Sequence, residues 1–139
     1  METKEFTPLE FPRILLYIVD NTDQTIFTPA IQFCKLFKSQ LFVLFVLEEH
    51  RISKLASITH ENIESIKKRI EEEGWEMLYL VEDEAVESGV RTSLHMENGQ
   101  VPRVIKKYLE NYKINLMLVR KREETKKFFV SANVPVIGL

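Results

Sequence analysis

The fold of this chain is decided by residues 13–47, which read RILLYIVDNTDQTIFTPAIQFCKLFKSQLFVLFVL. Both ends of the stretch, residues 14–19 and 41–47, are continuous apolar runs of strand length. Such runs are typical of strands that are covered on both faces, as in a parallel sheet. Between them, residues 26–39 carry apolar side chains at helical spacing. The stretch therefore predicts a βαβ unit with a right-handed crossover.

The rest of the chain continues this alternation of helices and strands. The predicted segments are a connection at 48–57, a helix at 59–88, an edge strand at 90–96, a helix at 101–112, a strand at 114–119, a short helix at 125–130 and a last strand at 135–139. Gly74 could break the long helix, since a glycine in a helix interior costs about 1 kcal/mol relative to alanine. No hairpin signal occurs, so the order predicts an α/β three-layer sandwich with a five-stranded parallel sheet.

Composition places the chain among ordinary globular proteins. It has 139 residues, is 45% hydrophobic and carries a formal net charge of -2. Residues 1–12 are interpreted as a flexible lead-in and residues 13–139 as one domain. The small net charge favours neither nucleic acid nor an anionic membrane as a partner. The first residues do not resemble a signal peptide and the longest apolar run is too short to span a bilayer, so we expect a cytoplasmic protein without membrane insertion.

Residues suited to catalysis or metal binding are few. Cys34 is the single cysteine, which excludes an intramolecular disulfide, and its helical surroundings predict a buried small hydrophobe. His50, His60 and His95 lack the spacing of a metal site. No nucleophile elbow, phosphate-binding loop or dinucleotide fingerprint occurs. We therefore predict no catalytic residue, no metal and no cofactor.

A ligand of such a fold binds outside the carboxyl ends of the strands, where the strand order reverses. The candidate binding residues follow strands one and four: Asp20, Asn21, Thr22, Arg120 and Arg122. Asp20 could hold a ribose hydroxyl or simply cap the next helix. The two arginines could bind an anion, or they could belong to a solvated loop whose neighbouring glutamates cancel part of their charge. A nucleotide- or anion-binding sensor is thus one hypothesis for the function.

Four short segments together resemble the universal stress protein (UspA-like) domain family. They are the turn at 20–25, Gly99 ahead of the next helix, the strand at 115–119 and the ending at 134–137. The resemblance covers residues 13–139. It implies the adenine nucleotide alpha hydrolase-like sandwich with strand order 3-2-1-4-5 and a homodimer often built through the last strand. It also implies a cytoplasmic role in stress response or in regulating a partner protein.

The sequence departs from this family at the nucleotide motif. ATP-binding members carry a long glycine-rich loop after strand four, whereas residues 120–124 read RKREE, without a glycine. Glycines let backbone N–H groups close around phosphate, and bulky charged residues do not. We therefore predict a degenerate nucleotide site and a non-catalytic protein that acts by homodimerisation or by association with a partner.

The chain ends in an apolar strand that suits self-association. An exposed strand edge is a template for pairing with another chain, so monomeric proteins usually blunt it. We therefore predict that a second copy pairs along the last strand. The predicted dimer interface consists of Val134, Val136, Ile137 and Leu139.

Overall fold

The computed structural model describes residues 10–19, 24–121 and 132–139. Within these ranges the strands are β1 (Arg13–Ile18), β2 (Gln40–Leu47), β3 (Thr92–Asn98), β4 (Leu116–Val119) and β5 (Val136–Gly138). The helices are α1 (Phe27–Phe37), α2 (Glu49–Thr59), α3 (Ile63–Glu87) and α4 (Val101–Asn111), and a 3-10 turn at Gln24–Ile26 leads into α1. The predicted helix at 125–130 lies outside the described residues, as does most of the predicted lead-in.

All five strands are parallel, in the order β3-β2-β1-β4-β5. Leu16, near the middle of the sheet, pairs with Val43 on one side and with Leu118 on the other. All three of these side chains are inaccessible to solvent. The apolar runs that predicted doubly covered strands are indeed covered on both faces, and the predicted fold class and strand order are confirmed.

Side chains that alternate along the strands build two core layers, one on each face of the sheet. Ile14, Leu16 and Ile18 of β1 face α1, α2 and α3. Leu15 and Tyr17 face the opposite way, toward α4. Three helices therefore cover one face of the sheet, and among the described residues α4 is the helix that covers the other.

The prediction of a connection at 48–57 was wrong, because residues 49–59 form helix α2. Only a narrow stripe of this helix is apolar: Ile52 is buried, and Leu55 and Ala56 are half-buried against the core. A stripe of three residues is too short to give a strong helical period in the sequence. Packing against α3 stabilises the helix, which ends at His60 with a left-handed φ of 58°.

Helix α3 continues through Gly74 without a break. It begins later than predicted, where the side chain of Asn62 accepts a hydrogen bond from the backbone N–H of Glu64 at 2.8 Å. Gly74 is buried, and a Cβ atom placed on it would lie 2.7 Å from Met96 Cε and 2.9 Å from the Phe45 ring. The glycine lets the helix backbone approach the sheet closely and is not a helix breaker here.

Candidate functional site

The predicted cleft lies at the carboxyl ends of β1 and β4. Arg120 directly follows β4 and is half-buried. The other predicted binding residues, Asp20, Asn21, Thr22 and Arg122, lie outside the described residues. Their roles in binding therefore stay predictions.

A helical hairpin made of α2 and α3 reaches over this end of the sheet. Ile52 of α2 and Ile70 of α3 line one cavity together with Tyr17 and Val19 at the end of β1. The volume that the centre of a water molecule can reach in this cavity is about 20 Å³. That is room for about one water. That cavity has no room for a base ring.

Sequence reasoning missed one candidate in this crevice, Arg51, which lines the same cavity as Glu48 and Val46. It was missed because residues 48–57 were interpreted as a connection, which has no defined face. The spacing of Ile52, Leu55 and Ala56 was the available signal, since residues three and four apart share one face of a helix.

The predicted dimer strand β5 lies at an edge of the sheet, paired with β4. The carbonyl of Pro135 accepts from Met117 N–H at 2.9 Å, and Leu139 N–H donates to Val119 at 2.8 Å. Because backbone groups alternate along a strand, the amide and carbonyl of Val136 point away from β4. No strand in residues 10–19, 24–121 or 132–139 pairs with that outer side.

The side chains of this edge are less bare than the sequence suggested. Val134 and Val136 pack against the core layer beneath α4, and Ile137 and Leu139 pack against the opposite layer. All four are half-buried. The side chains of β5 are therefore largely packed against the core, whereas its outward backbone groups have no strand partner among the described residues.

The opposite edge, β3, carries a cluster of aromatic and ionisable side chains beneath α4. The ring of His95 stacks on Phe42 at a centroid distance of 6.0 Å and meets Tyr108 edge-on at 5.1 Å. Ser93 Oγ lies 2.7 Å from His95 Nε2. Glu97 accepts from Lys107 Nζ at 2.5 Å and also bonds to Tyr108.

Burial shapes the protonation of this cluster. Desolvation lowers the pKa of His95, and the nearby charge of Glu97 opposes the shift. The hydrogen bond from Lys107 lowers the pKa of Glu97, while burial and that carboxylate raise the pKa of Tyr108. The cluster therefore favours neutral His95 beside an ionised Glu97.

Lowering the pH from 7.5 to 5.5 is expected to lower the melting temperature, in part through His95. Its folded pKa lies below the unfolded value of 6.5, so the unfolded chain binds the proton more readily just below that pH. Stability from neutral His95 is present above 6.5 and is lost as the pH falls toward the folded pKa. Differential scanning calorimetry of wild type and His95→Gln tests this. An unchanged pH dependence in the variant would contradict it.

Cys34 and the metal-ligating side chains are the other candidates for chemistry. Cys34 is fully buried, as predicted, and desolvation raises its pKa to about 12. The thiolate needed for nucleophilic attack is thus strongly disfavoured near neutral pH.

Across the part of the chain that the structure describes, no three His, Cys, Asp or Glu side chains come together as a metal site would require. No helix in that same part is long and apolar enough to cross a membrane.

The fold is that of universal stress proteins. A universal stress protein family member from Burkholderia pseudomallei superimposes with a TM-score of 0.76 at 12% identity, over 93% of this chain and 96% of that one. UspA from Lactobacillus plantarum gives 0.70 at 16% identity, over 95% and 99%. A universal stress protein solved in complex with cAMP gives 0.63 at 11% identity, over 94% and 98%. No protein-family model and no curated protein matches the sequence.

Proposed function

We propose that this protein is a universal-stress-like protein that performs no catalysis and acts by association, first of all with a second copy of itself. The observation that carries the proposal is the outer edge of β5, where the backbone of Val136 faces away from β4. Apolar side chains flank that edge on both faces of the sheet. Strand pairing with a second copy would satisfy those backbone groups without any new fold.

The predicted loss of the ATP site supports the same proposal. The connector after β4 has no glycine to cradle phosphate, and the cavity that Ile52 and Ile70 help to line at the end of β1 has room for about one water. The raised pKa of Cys34 removes the one thiol as a nucleophile. We place the protein in the cytoplasm, in stress response or in the regulation of a partner protein, in keeping with its fold.

Val136→Pro is expected to convert the dimer to a monomer. Proline removes the outward N–H of residue 136, and it leaves the bonds between β5 and β4 in place because those involve the neighbouring residues. Size-exclusion chromatography with light scattering measures the mass. Val136→Thr is the matched control, since it keeps the N–H and the side-chain shape and should remain a dimer. A wild-type monomer, or a dimer of unchanged affinity in Val136→Pro, would contradict the proposal.

A nucleotide sensor is the second candidate function. It is favoured by the cAMP complex of a protein with the same fold and by Arg120 at the carboxyl end of β4. Asp20, Asn21, Thr22 and Arg122 are the further residues we assign to such a site.

Millimolar Mg-ATP, AMP and cyclic nucleotides are expected to leave the melting temperature unchanged. A ligand at a hundredfold excess over its Kd would stabilise the fold by about 2.7 kcal/mol, which shifts the melting temperature by several degrees. A thermal-shift titration measures this. A clear shift that disappears when Arg120 and Arg122 are both changed to alanine would establish the second candidate instead.

A further inference from the structure

The outer side of β3 is an open strand edge. Among the described residues β3 pairs only with β2. The carbonyl of Arg91 and the amide of Gly99 bond to β2 at 2.8 and 3.1 Å. Because backbone groups alternate, those of the even-numbered residues point outward. Strand edges are commonly blunted by lysine, proline or a bulge, and β3 contains no lysine or proline. The outward groups belong to Thr92, Leu94, Met96 and Asn98.

A stripe of large side chains on α3 runs beside this edge. Trp75 and Tyr79 stack with ring centroids 5.7 Å apart, and Val86 continues the stripe at helical spacing. Tyr79 is 54% exposed and Val86 69%. The stripe faces away from α1, because Glu84 on the other flank of α3 accepts a hydrogen bond from Thr28 of α1.

A groove separates this helix from the edge strand. The volume that the centre of a water molecule can reach in this groove is about 140 Å³. The helix contributes Glu71 and Trp75 to its lining, and the strand contributes Met96, Glu97 and Asn98. An open backbone edge and an aromatic wall thus lie side by side.

The helix that borders the groove is strongly acidic. Eight aspartates and glutamates, and no lysine or arginine, lie between Ile70 and Val90. At 100° per residue, Glu71 and Glu82 flank one side of the stripe, and Glu72 and Asp83 flank the other. A surface of this sign selects a positively charged partner and speeds its approach.

We propose that the groove between β3 and α3 binds an extended, lysine- and arginine-rich segment of a partner protein, which adds a sixth strand to the sheet at β3. The partner's backbone pairs with the outward groups of β3. The methylene groups of its lysines and arginines pack on Trp75 and Tyr79, and their charged groups interact with the faces of these rings. Their ends reach the flanking carboxylates. This surface is at the opposite edge from β5, so the inference goes beyond the proposed self-association.

Trp75 is the only tryptophan of the chain, so its fluorescence reports directly on the groove. The probe is a capped heptapeptide of alternating lysine and threonine, and its counterpart with glutamate in place of lysine is the charge control. We expect a saturable change in Trp75 emission with the lysine peptide, weakened by added salt, and none with the glutamate peptide. No saturable change with the lysine peptide would overturn the proposal.

Two N-methylated forms of the lysine peptide test strand addition. One is methylated at its lysines and the other at its threonines, and only one set of amides in a strand can face β3. One form should therefore lose binding and the other keep it. Equal affinities of the two forms would overturn strand addition.

Protein variants test the charge complementarity. Changing the exposed Glu71 and the half-buried Glu82 together to glutamine should weaken peptide binding roughly three- to tenfold, as expected for two surface charges. Glu110→Gln on α4 is the matched control and should bind like the wild type. Equal affinity of the double variant and this control would overturn the assigned groove.

The protein alone provides the last control. A change in Trp75 emission on dilution without peptide would place a second copy in the groove and overturn the proposal. Val136→Pro should bind the lysine peptide like the wild type, which keeps this test separate from that of the β5 dimer.

Discussion

Phe45→Ala is expected to lower the free energy of unfolding by about 3–5 kcal/mol, the range for removing a buried aromatic ring. Phe45 is 0% exposed. It lies in the middle of the sheet, where it pairs with Ile18 on β1 and Met96 on β3. The strands on both sides hold the backbone in place, so the cavity left by the ring cannot collapse fully.

Urea denaturation followed by circular dichroism measures the loss, at one protein concentration because association would add to the apparent stability. Leu36→Ala is the control, since Leu36 is 75% exposed and its truncation should change stability by less than about 0.5 kcal/mol. A cost below about 1.5 kcal/mol for Phe45→Ala would show that the ring is not packed as described.

Gly74→Ala is expected to destabilise the protein by about 1–2 kcal/mol, although alanine is the better helix former by about 1 kcal/mol. The new Cβ would lie 2.7 Å from Met96 Cε, the end of a flexible chain that can turn away. It would also lie 2.9 Å from two atoms of the Phe45 ring, which the packed core holds in place. The steric cost therefore outweighs the gain in helix propensity.

A double-mutant cycle with Phe45→Ala identifies the cause. Once the ring is absent, Gly74→Ala should stabilise the protein by up to about 1 kcal/mol, because only the helix propensity remains. Glu73→Ala, at the exposed neighbouring position, should have a small effect in both backgrounds. If Gly74→Ala costs the same with and without the ring, the ring is not what excludes a side chain at position 74.

The strands were predictable because their signal is local. An apolar run such as residues 41–47 needs cover on both faces wherever it lies, and β2 has that cover. Helix α4 was equally clear, since Val101, Val104, Ile105 and Tyr108 are spaced three and four apart and all are buried. Helix α2 was missed because most of its residues face solvent and its packing against α3 cannot be read from its own pattern.

The candidate sites were less predictable than the fold. The apolar run at 135–139 predicted strand β5, yet the half-burial of Val136 and Ile137 depends on the two core layers they meet. The small cavity at the end of β1 is lined in part by Ile52 and Ile70, which are far from Tyr17 along the chain. The groove at β3 joins Trp75 to Met96, and neither residue alone suggests a binding surface.

From its sequence this chain can be assigned five parallel strands, a connector without glycine after the fourth strand and an apolar strand at 135–139. These properties depend on the period of apolar residues and on glycine content, which act within a few residues of each other. Which side chains meet depended on how the helices pack on the sheet. His95 lies between Phe42 and Tyr108, and Trp75 of α3 lies beside the open edge of β3. Contacts between distant segments come from burial of the whole core, and no local pattern specifies them.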